Sequence, residues 1–366
     1  MKSILENKAF LFLICLLLGI LTSFSLPPYN LFFINFLTFP VLLYILINYV
    51  NKKTISFFVG LIFGFGYFIS NLYWITNSLT FDVNYKNVIP FALILIPLFL
   101  GIFYGLVTFL CNFFNLKNRI SSILIFSTFF GGIEFLRSFI FGGFPWNLVV
   151  FSLSNNLPSL QILSYIGTYS LNLLSITIFL LPIIFFFKYK SLTKFLIFSL
   201  SLILLVINFL YGNLIINNFE KKKHDQLSSI IRVVSPNIPI ERFLANQDPE
   251  RNINELISLG DPLNIKKTIF IYPEGIISSI YLKDLKLFKN IFKENYNVNH
   301  KVILGINSIK QNKIYNSLVV LNNESELLYK YNKNKLVPFG EFLPFENFLK
   351  KIGLKKITQG YQSFSA

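Results

Sequence analysis

Residues 194–212 read KFLIFSLSLILLVINFLYG, and residues 213–226 continue NLIINNFEKKKHDQ. The first stretch carries a single charge, at its start, and approaches the length of about 20 mostly apolar residues that a bilayer-spanning helix needs. The second carries five charges in 14 residues. This change of composition divides the chain into a helical membrane domain, 1–212, and a more polar domain, 213–366.

Working towards the N-terminus, six more stretches have spanning character: 9–25, 31–50, 55–75, 88–114, 120–140 and 160–187. Over all 366 residues, 54% are hydrophobic and only 14% charged. A soluble domain has about a quarter of its residues charged, so a single water-soluble core is excluded, and so is disorder. Two cysteines are too few for a disulfide scaffold. The first apolar stretch runs into Leu26-Pro27-Pro28-Tyr29, without a small-residue cleavage site, and reads as a retained helix. Seven spans are therefore expected.

The net charge of +16 splits evenly. Residues 1–212 carry 11 basic and 3 acidic side chains, residues 213–366 carry 22 and 14, and each difference is +8. No base-reading motif accompanies the basic run at 221–223, which faces lipid headgroups more naturally than nucleic acid, so no nucleic-acid partner is expected. Lys2, Lys8, Lys52, Lys53, Lys117, Arg119, Lys188, Lys190 and Lys194 fall in loops on one side of the membrane, and only Lys86 and Arg137 on the other. By the positive-inside rule the N-terminus is cytoplasmic, and after seven crossings the polar domain lies outside.

Two features of the membrane domain stand apart. Phe141-Gly142-Gly143-Phe144-Pro145-Trp146-Asn147 mixes aromatics with helix breakers, and suits either an interfacial aromatic belt or a re-entrant loop lining a site. Glu134 and Arg137 are three apart, on one helical face, and can pair there for function or merely to fix the helix.

After residue 213 the apolar runs shorten to strand length. Strands are expected at 230–234, 268–272, 302–306, 315–321 and 327–331, and helices at 249–259 and 282–296. Strands and helices in alternation make an α/β layered domain. His224 and His300 are the only histidines, which excludes a Ser-His-Asp triad and a multi-histidine metal site. Cys15 and Cys111 lie in apolar spans, where a thiol stays inert. Glu274 follows the 268–272 run in a Pro-Glu-Gly turn, at the strand end where α/β sheets place reactive groups, although spacing alone also fits a solvated turn acid. Lys333 and Lys335 follow the 327–331 run and precede Pro338-Phe339-Gly340-Glu341, a further acid in a turn.

Ile271-Tyr272-Pro273-Glu274, Tyr331-Asn332-Lys333 and Pro338-Phe339-Gly340-Glu341 resemble the carbon–nitrogen hydrolase (nitrilase) superfamily. Phe24-Ser25-Leu26-Pro27-Pro28-Tyr29, Gly64-Phe65-Gly66-Tyr67, Tyr73-Trp74-Ile75, Glu134-Phe135-Leu136-Arg137, Gly143-Phe144-Pro145-Trp146 and Ser235-Pro236-Asn237-Ile238-Pro239 narrow the resemblance to its membrane branch, the apolipoprotein N-acyltransferases. The resemblance implies a multi-pass helical domain of about seven spans followed by a nitrilase-like αββα sandwich, incomplete here.

It also implies a Glu-Lys-Cys triad, with Glu274 as general base, Lys333 on the oxyanion, and Glu341 as a second acid beside them. The family's nucleophile lies in a Cys-Tyr/Phe-Glu motif that this sequence lacks, so the chain is expected to be truncated before it and inactive by itself. Near Phe243 the family carries a Trp that is absent here. The implied reaction moves a fatty acyl chain from a phospholipid donor to a diacylglyceryl-modified apolipoprotein acceptor. The implied setting is the bacterial inner membrane, with the C-terminal domain periplasmic, the protein a monomer, and no metal or organic cofactor. Apolar Phe342, Leu343 and Phe345 either meet acyl chains or pack within the domain. The rival readings are a membrane-tethered amidase, a catalytically dead protein, and a transporter; the last is disfavoured by spans almost free of charge and without an internal repeat.

Overall fold

In a bilayer every backbone amide must find its partner within the protein, and apolar runs answer by forming helices. The structure, a computed structural model, describes residues 7–80, 83–221, 228–237, 248–262, 266–338, 340–342 and 363–365. Of the residues named above, Lys2, His224, Ile238, Pro239, Phe243, Phe339, Leu343 and Phe345 lie outside this set. The described chain forms two compact units, residues 1–223 and 224–366.

The first unit is built from α1 Lys8–Ser23, α2 Asn35–Tyr49, α3 Lys53–Leu72, α4 Ile89–Cys111, α5 Ile120–Arg137, α6 Leu163–Leu180 and α7 Ser191–Lys221. Among the described residues, six helical stretches are long and apolar enough to cross a membrane; α1, with 16 residues, is shorter. The seven spans expected from hydropathy are thus six of full length and one short helix. Its last amides close back on Leu21, Thr22 and Ser23, and Pro27, which has no N–H, prevents continuation. At the other end of the unit, α7 runs through Asn213 to Lys221, past the compositional boundary at 212/213. Residues 213–219 are still predominantly apolar, and the charged run begins only at Glu220.

α3 lies between α1 and α4 at backbone contact. A Cβ on Gly19 would collide with the Phe63 carbonyl, and one on Gly60 with the Tyr104 carbonyl. Ser56 Oγ donates to the Thr108 carbonyl at 2.7 Å, and Thr108 Oγ1 returns the bond to the Ser56 carbonyl at 2.6 Å. Small and hydroxylated residues are what allow helices to associate where no hydrophobic force drives them together. Phe39, Phe63, Tyr104, Phe126 and Phe130 fill the core of the unit.

Among the described residues, the second unit forms a mixed six-stranded sheet: β1 Ile230–Val233, β2 Thr268–Ile271, β3 Ile277–Tyr281, β4 His300–Lys310, β5 Lys313–Leu321 and β6 Leu327–Asn332. The order is β1-β2-β4-β5-β6, with β3 also on β4. β1, β2 and β4 are parallel, and β4, β5 and β6 form antiparallel hairpins. Between β5 and β6 the register shifts: Val320 faces Tyr329 and Leu321 faces Leu327, so Leu328 bulges. Helix α8, Pro249–Gly260, is capped by Asp248, whose carboxylate accepts the Glu250 N–H at 3.0 Å, and buries Ile253, Leu256 and Ile257. Its expected extent of 249–259 stands within one residue.

The expected helix over 282–296 is a 3₁₀ helix, Leu282–Phe288, followed by a short α-helix, α9, Lys289–Asn295. Leu282, Leu285 and Phe288 recur every three residues, the period of a 3₁₀ helix, and Asp284 ties back to the Tyr281 N–H at 3.4 Å. β3 was not expected at all.

Candidate active site

β4 is 11 residues long, and one of its edges serves two strands in series. β2 pairs with its first part, from Thr268 opposite His300 to Ile271 opposite Ile303, and β3 joins further along, with Ile277 opposite Ile306. In the gap lies Pro273-Glu274-Gly275. Pro273 offers no N–H, and Gly275 has a φ of +62°, so the ladder breaks there. The turn lies directly on Gly305, whose added Cβ would stand 2.5 Å from Gly275 N and 2.7 Å from Glu274 Cα. A strand glycine here permits close backbone approach and holds Glu274 at the carboxyl end of a parallel strand.

β5 repeats this device on its other edge. β6 pairs with Ser317 to Leu321, and the ladder ends as the Lys333 N–H donates to the Asn316 carbonyl at 2.8 Å. The remaining edge of β5 is taken by Ser365, whose N–H donates to the Ile314 carbonyl at 2.8 Å. Lys333 thus stands where one strand gives way to the next. Glu341 sits in the following turn, with its N–H on the Val337 carbonyl at 2.8 Å and its Oε2 accepting the Val337 N–H at 2.9 Å.

These two breaks, on neighbouring strands, bring the three expected residues into one cluster. Lys333 Nζ donates to Glu274 Oε1 and to Glu341 Oε1, each at 3.0 Å. Burial pulls the Lys333 ammonium down, but its hydrogen bonds to the two carboxylates outweigh this and hold it above the ordinary lysine value. Burial pushes the Glu341 carboxyl up, and donation from Asn316, Val337 and Lys333 more than reverses it, leaving Glu341 below the ordinary carboxylate value. The Glu341 side chain is 9% exposed and that of Glu274 63%. The arrangement is one fixed acid and one cation beside a second acid that faces solvent. Lys335, two residues beyond Lys333, is exposed.

One participant was missed. Asn316 Nδ2 donates to Glu274 Oε1 at 2.6 Å and to Glu341 Oε1 at 2.8 Å. An asparagine inside a strand carries no motif, and its only sequence signal is a polar residue in an otherwise strand-forming run.

In the membrane unit, Glu134 and Arg137 do pair, at 3.5 Å, and both are fully buried. Glu134 also accepts from Tyr104 Oη at 2.8 Å and Asn172 Nδ2 at 2.5 Å. Arg137 Nη1 donates to the carbonyls of Phe144 at 2.8 Å and Trp146 at 3.0 Å, while Tyr67 Oη holds the Asn147 carbonyl at 2.9 Å. The 144–147 loop is thus fastened from below, with the Trp146 ring stacked 5.4 Å from that of Trp74. Cys15 and Cys111 are both fully buried among the helices of this unit.

A bundle of apolar helices joined to an α/β unit with an acid–lysine–acid cluster defines an integral membrane protein with an enzyme-like site. A family model for the apolipoprotein N-acyltransferase N-terminal domain matches residues 18–181. The apolipoprotein N-acyltransferase of Rickettsia prowazekii (strain Madrid E) is 31% identical over 367 residues, which cover 95% of this chain and 69% of the relative. Those of Rickettsia typhi and Rhizobium rhizogenes are 30% and 26% identical, over 95% and 97% of this chain and 69% of each relative. The chain belongs to the apolipoprotein N-acyltransferase family.

Proposed function

We propose that the chain serves the transfer of a fatty acyl group from a membrane phospholipid to the free α-amino group of an S-diacylglyceryl cysteine at the N-terminus of an apolipoprotein. The observation that supports this most strongly is the Glu274–Lys333–Glu341 cluster, formed at two strand breaks from residues 67 positions apart, with all three within hydrogen-bond reach of shared partners.

In this reading Glu274, the exposed acid, is the general base. It takes the proton of a thiol, whose sulfur attacks the ester carbonyl of the phospholipid. The tetrahedral oxyanion faces the Lys333 ammonium, the ester C–O bond breaks, and the lysophospholipid leaves with a proton returned by Glu274. The acceptor amine then attacks the thioester, loses its proton to Glu274, and departs as an amide while the thiol is restored. Glu341, saturated by three donors, keeps the Lys333 ammonium charged and in place.

Neither Cys15 nor Cys111 is that thiol, because both are sealed in helix packing. Residues 1–366 alone are therefore expected to form no thioester. The domains are assigned as a transmembrane bundle and an extracytoplasmic nitrilase-like unit, in a bacterial inner-membrane protein that acts as a monomer. The N-terminus is cytoplasmic, with α1 counted as crossing, because nine of eleven loop Lys/Arg residues fall on the N-terminal side.

The test uses the full-length natural protein in proteoliposomes with acyl-labelled phospholipid and a diacylglyceryl lipopeptide. Label should reach the lipopeptide amine, and acetylating that amine beforehand should prevent it. Release of free fatty acid with no labelled lipopeptide would overturn the transferase reading in favour of a hydrolase. An alkaline phosphatase fusion after residue 225 should be active, and an inactive fusion would overturn the topology.

A further inference from the structure

The two acids of the cluster share a second partner besides the lysine. Asn316 lies in β5 opposite Asn307 of β4. Its Nδ2 sits 2.6 Å from Glu274 Oε1 and 2.8 Å from Glu341 Oε1, the same two oxygens that Lys333 Nζ meets at 3.0 Å each. Its backbone carbonyl accepts the Lys333 N–H at 2.8 Å. This one residue therefore touches all three members of the cluster.

An amide NH₂ has two hydrogens, and here each has a different carboxylate to meet. That supplies something a second lysine would not. Two carboxylates on one ammonium leave the cluster one positive charge short, which pushes one of them towards protonation. Another cation would cancel that excess, but it would also compete with Lys333 for both oxygens. A neutral double donor stabilises both ionised acids and leaves the Lys333 charge undivided. An aspartate has the same shape and no donor. A glutamine has the donor on a chain one methylene longer, which overshoots a bridge only 2.6 and 2.8 Å from its ends.

We propose that Asn316 is a positioning residue for acyl transfer: it bridges Glu274 to Glu341, keeps Glu274 aimed, and fixes the strand break from which Lys333 projects. This inference rests on the reading of Glu274 as the base. Glu341 already shows the effect on one side of the bridge, since donation from Asn316 leads the interactions that overcome its burial.

The sign of the expected change follows. Removing a donor from an ionised carboxylate raises its pKa, so Glu341, which Asn316 helps to hold below the ordinary value, should stay protonated to higher pH once the amide is gone and so lose its grip on Lys333. Asn316 is only partly buried on its strand, so shortening it opens no cavity and the fold should persist.

The experiment measures acyl transfer from labelled phospholipid to a diacylglyceryl lipopeptide against pH, with the full-length natural protein in proteoliposomes. Asn316→Ala and Asn316→Asp are compared with wild type, and Glu274→Gln serves as the control. Asn316→Asp should lower kcat about a hundredfold at neutral pH with little change in KM for phospholipid, and should move the acid limb of the profile upward by about one unit. Asn316→Ala should show about a tenfold loss and a smaller shift of the same sign. If Asn316→Asp does not assemble, Asn316→Ala carries the same test.

If Glu274→Gln is inactive while the Asn316 variants keep the wild-type rate and pH limb, the inference about Asn316 fails and the parent reading stands. A rate loss without movement of the limb also defeats it, because a merely structural role predicts that result. Full activity in Glu274→Gln would overturn the parent reading itself.

Discussion

The membrane unit and the α/β unit each contain an acid–cation cluster, and the two are finished to different degrees. In the membrane unit Glu134 has three donors, and Arg137 donates from Nη1 and Nη2 to two backbone carbonyls and Glu134 while its buried Nε finds no partner; both side chains have lost all contact with solvent. In the α/β unit Glu341 is nearly as enclosed, but Glu274 keeps 63% of its side chain open beside the same lysine. A sealed cluster holds backbone in place. A cluster with one acid left open has capacity for a further proton or ligand. The difference lies in access to solvent and not in the presence of charge, which is why charge alone did not separate these sites in the sequence.

The largest effect should come from breaking the sealed cluster. Arg137→Leu leaves the Glu134 carboxylate buried without its cation and frees the carbonyls of Phe144 and Trp146, a loss of about 3–5 kcal/mol. Thermal unfolding in detergent should show a marked drop, and adding Glu134→Gln should recover part of it by removing the stranded charge. An unchanged melting temperature in Arg137→Leu would mean that the loop is held by packing, and the contrast between the clusters would collapse.

The open cluster should respond in rate and not in stability. Lys333→Ala in the full-length protein should cut acyl transfer on the order of a hundredfold or more, as losing a cation facing an oxyanion does, while exposed Lys335→Ala should change it little. Equal losses in the two variants would show that the ammonium at the strand break is not the one that counts.

The smallest effect is on stability against pH. The Glu341 pKa is depressed, so its contribution is present above the ordinary carboxylate value of about 4 and fades as pH falls through the lower folded value. The Lys333 pKa is raised, so its contribution is present below the ordinary lysine value of about 10.4 and is lost as pH rises through the folded value. Each is worth about 1 kcal/mol or less, since the group is partly solvated. Denaturant unfolding of Glu341→Gln at falling pH should show a shallower acid slope than wild type, and parallel slopes would remove Glu341 from the ion cluster.

Much of this was legible in the chain. Six apolar runs read as helices and form them, because hydrocarbon leaves the backbone no other choice. The length of α1 was not legible, since hydropathy runs on to 25 while Pro27 controls where the helix stops. β3 was missed because Ile277-Ser278-Ser279-Ile280-Tyr281 is short and interrupted by serines; what makes it a strand is the free edge of β4. The placement of Glu274 and Lys333 at strand ends could be read locally, because each is followed within a few residues by Gly or Pro. Asn316 could not, nor could Tyr104 and Asn172 around Glu134. Their partners are 25 to 42 residues away, and only the packed fold relates them.

The bulge at Leu328 also governs phase. Side chains alternate faces along a strand, so a single unpaired residue inverts the parity of everything after it. Lys333 lies five positions beyond Leu328, with no second irregularity between them in the pairing. Because the bulge absorbs Leu328, Asn332 falls opposite Ser317 and the Lys333 N–H meets the Asn316 carbonyl. Were Leu328 paired in regular alternation instead, every later residue would slip by one, Asn332 would face Asn316, and the lysine would point away from both acids.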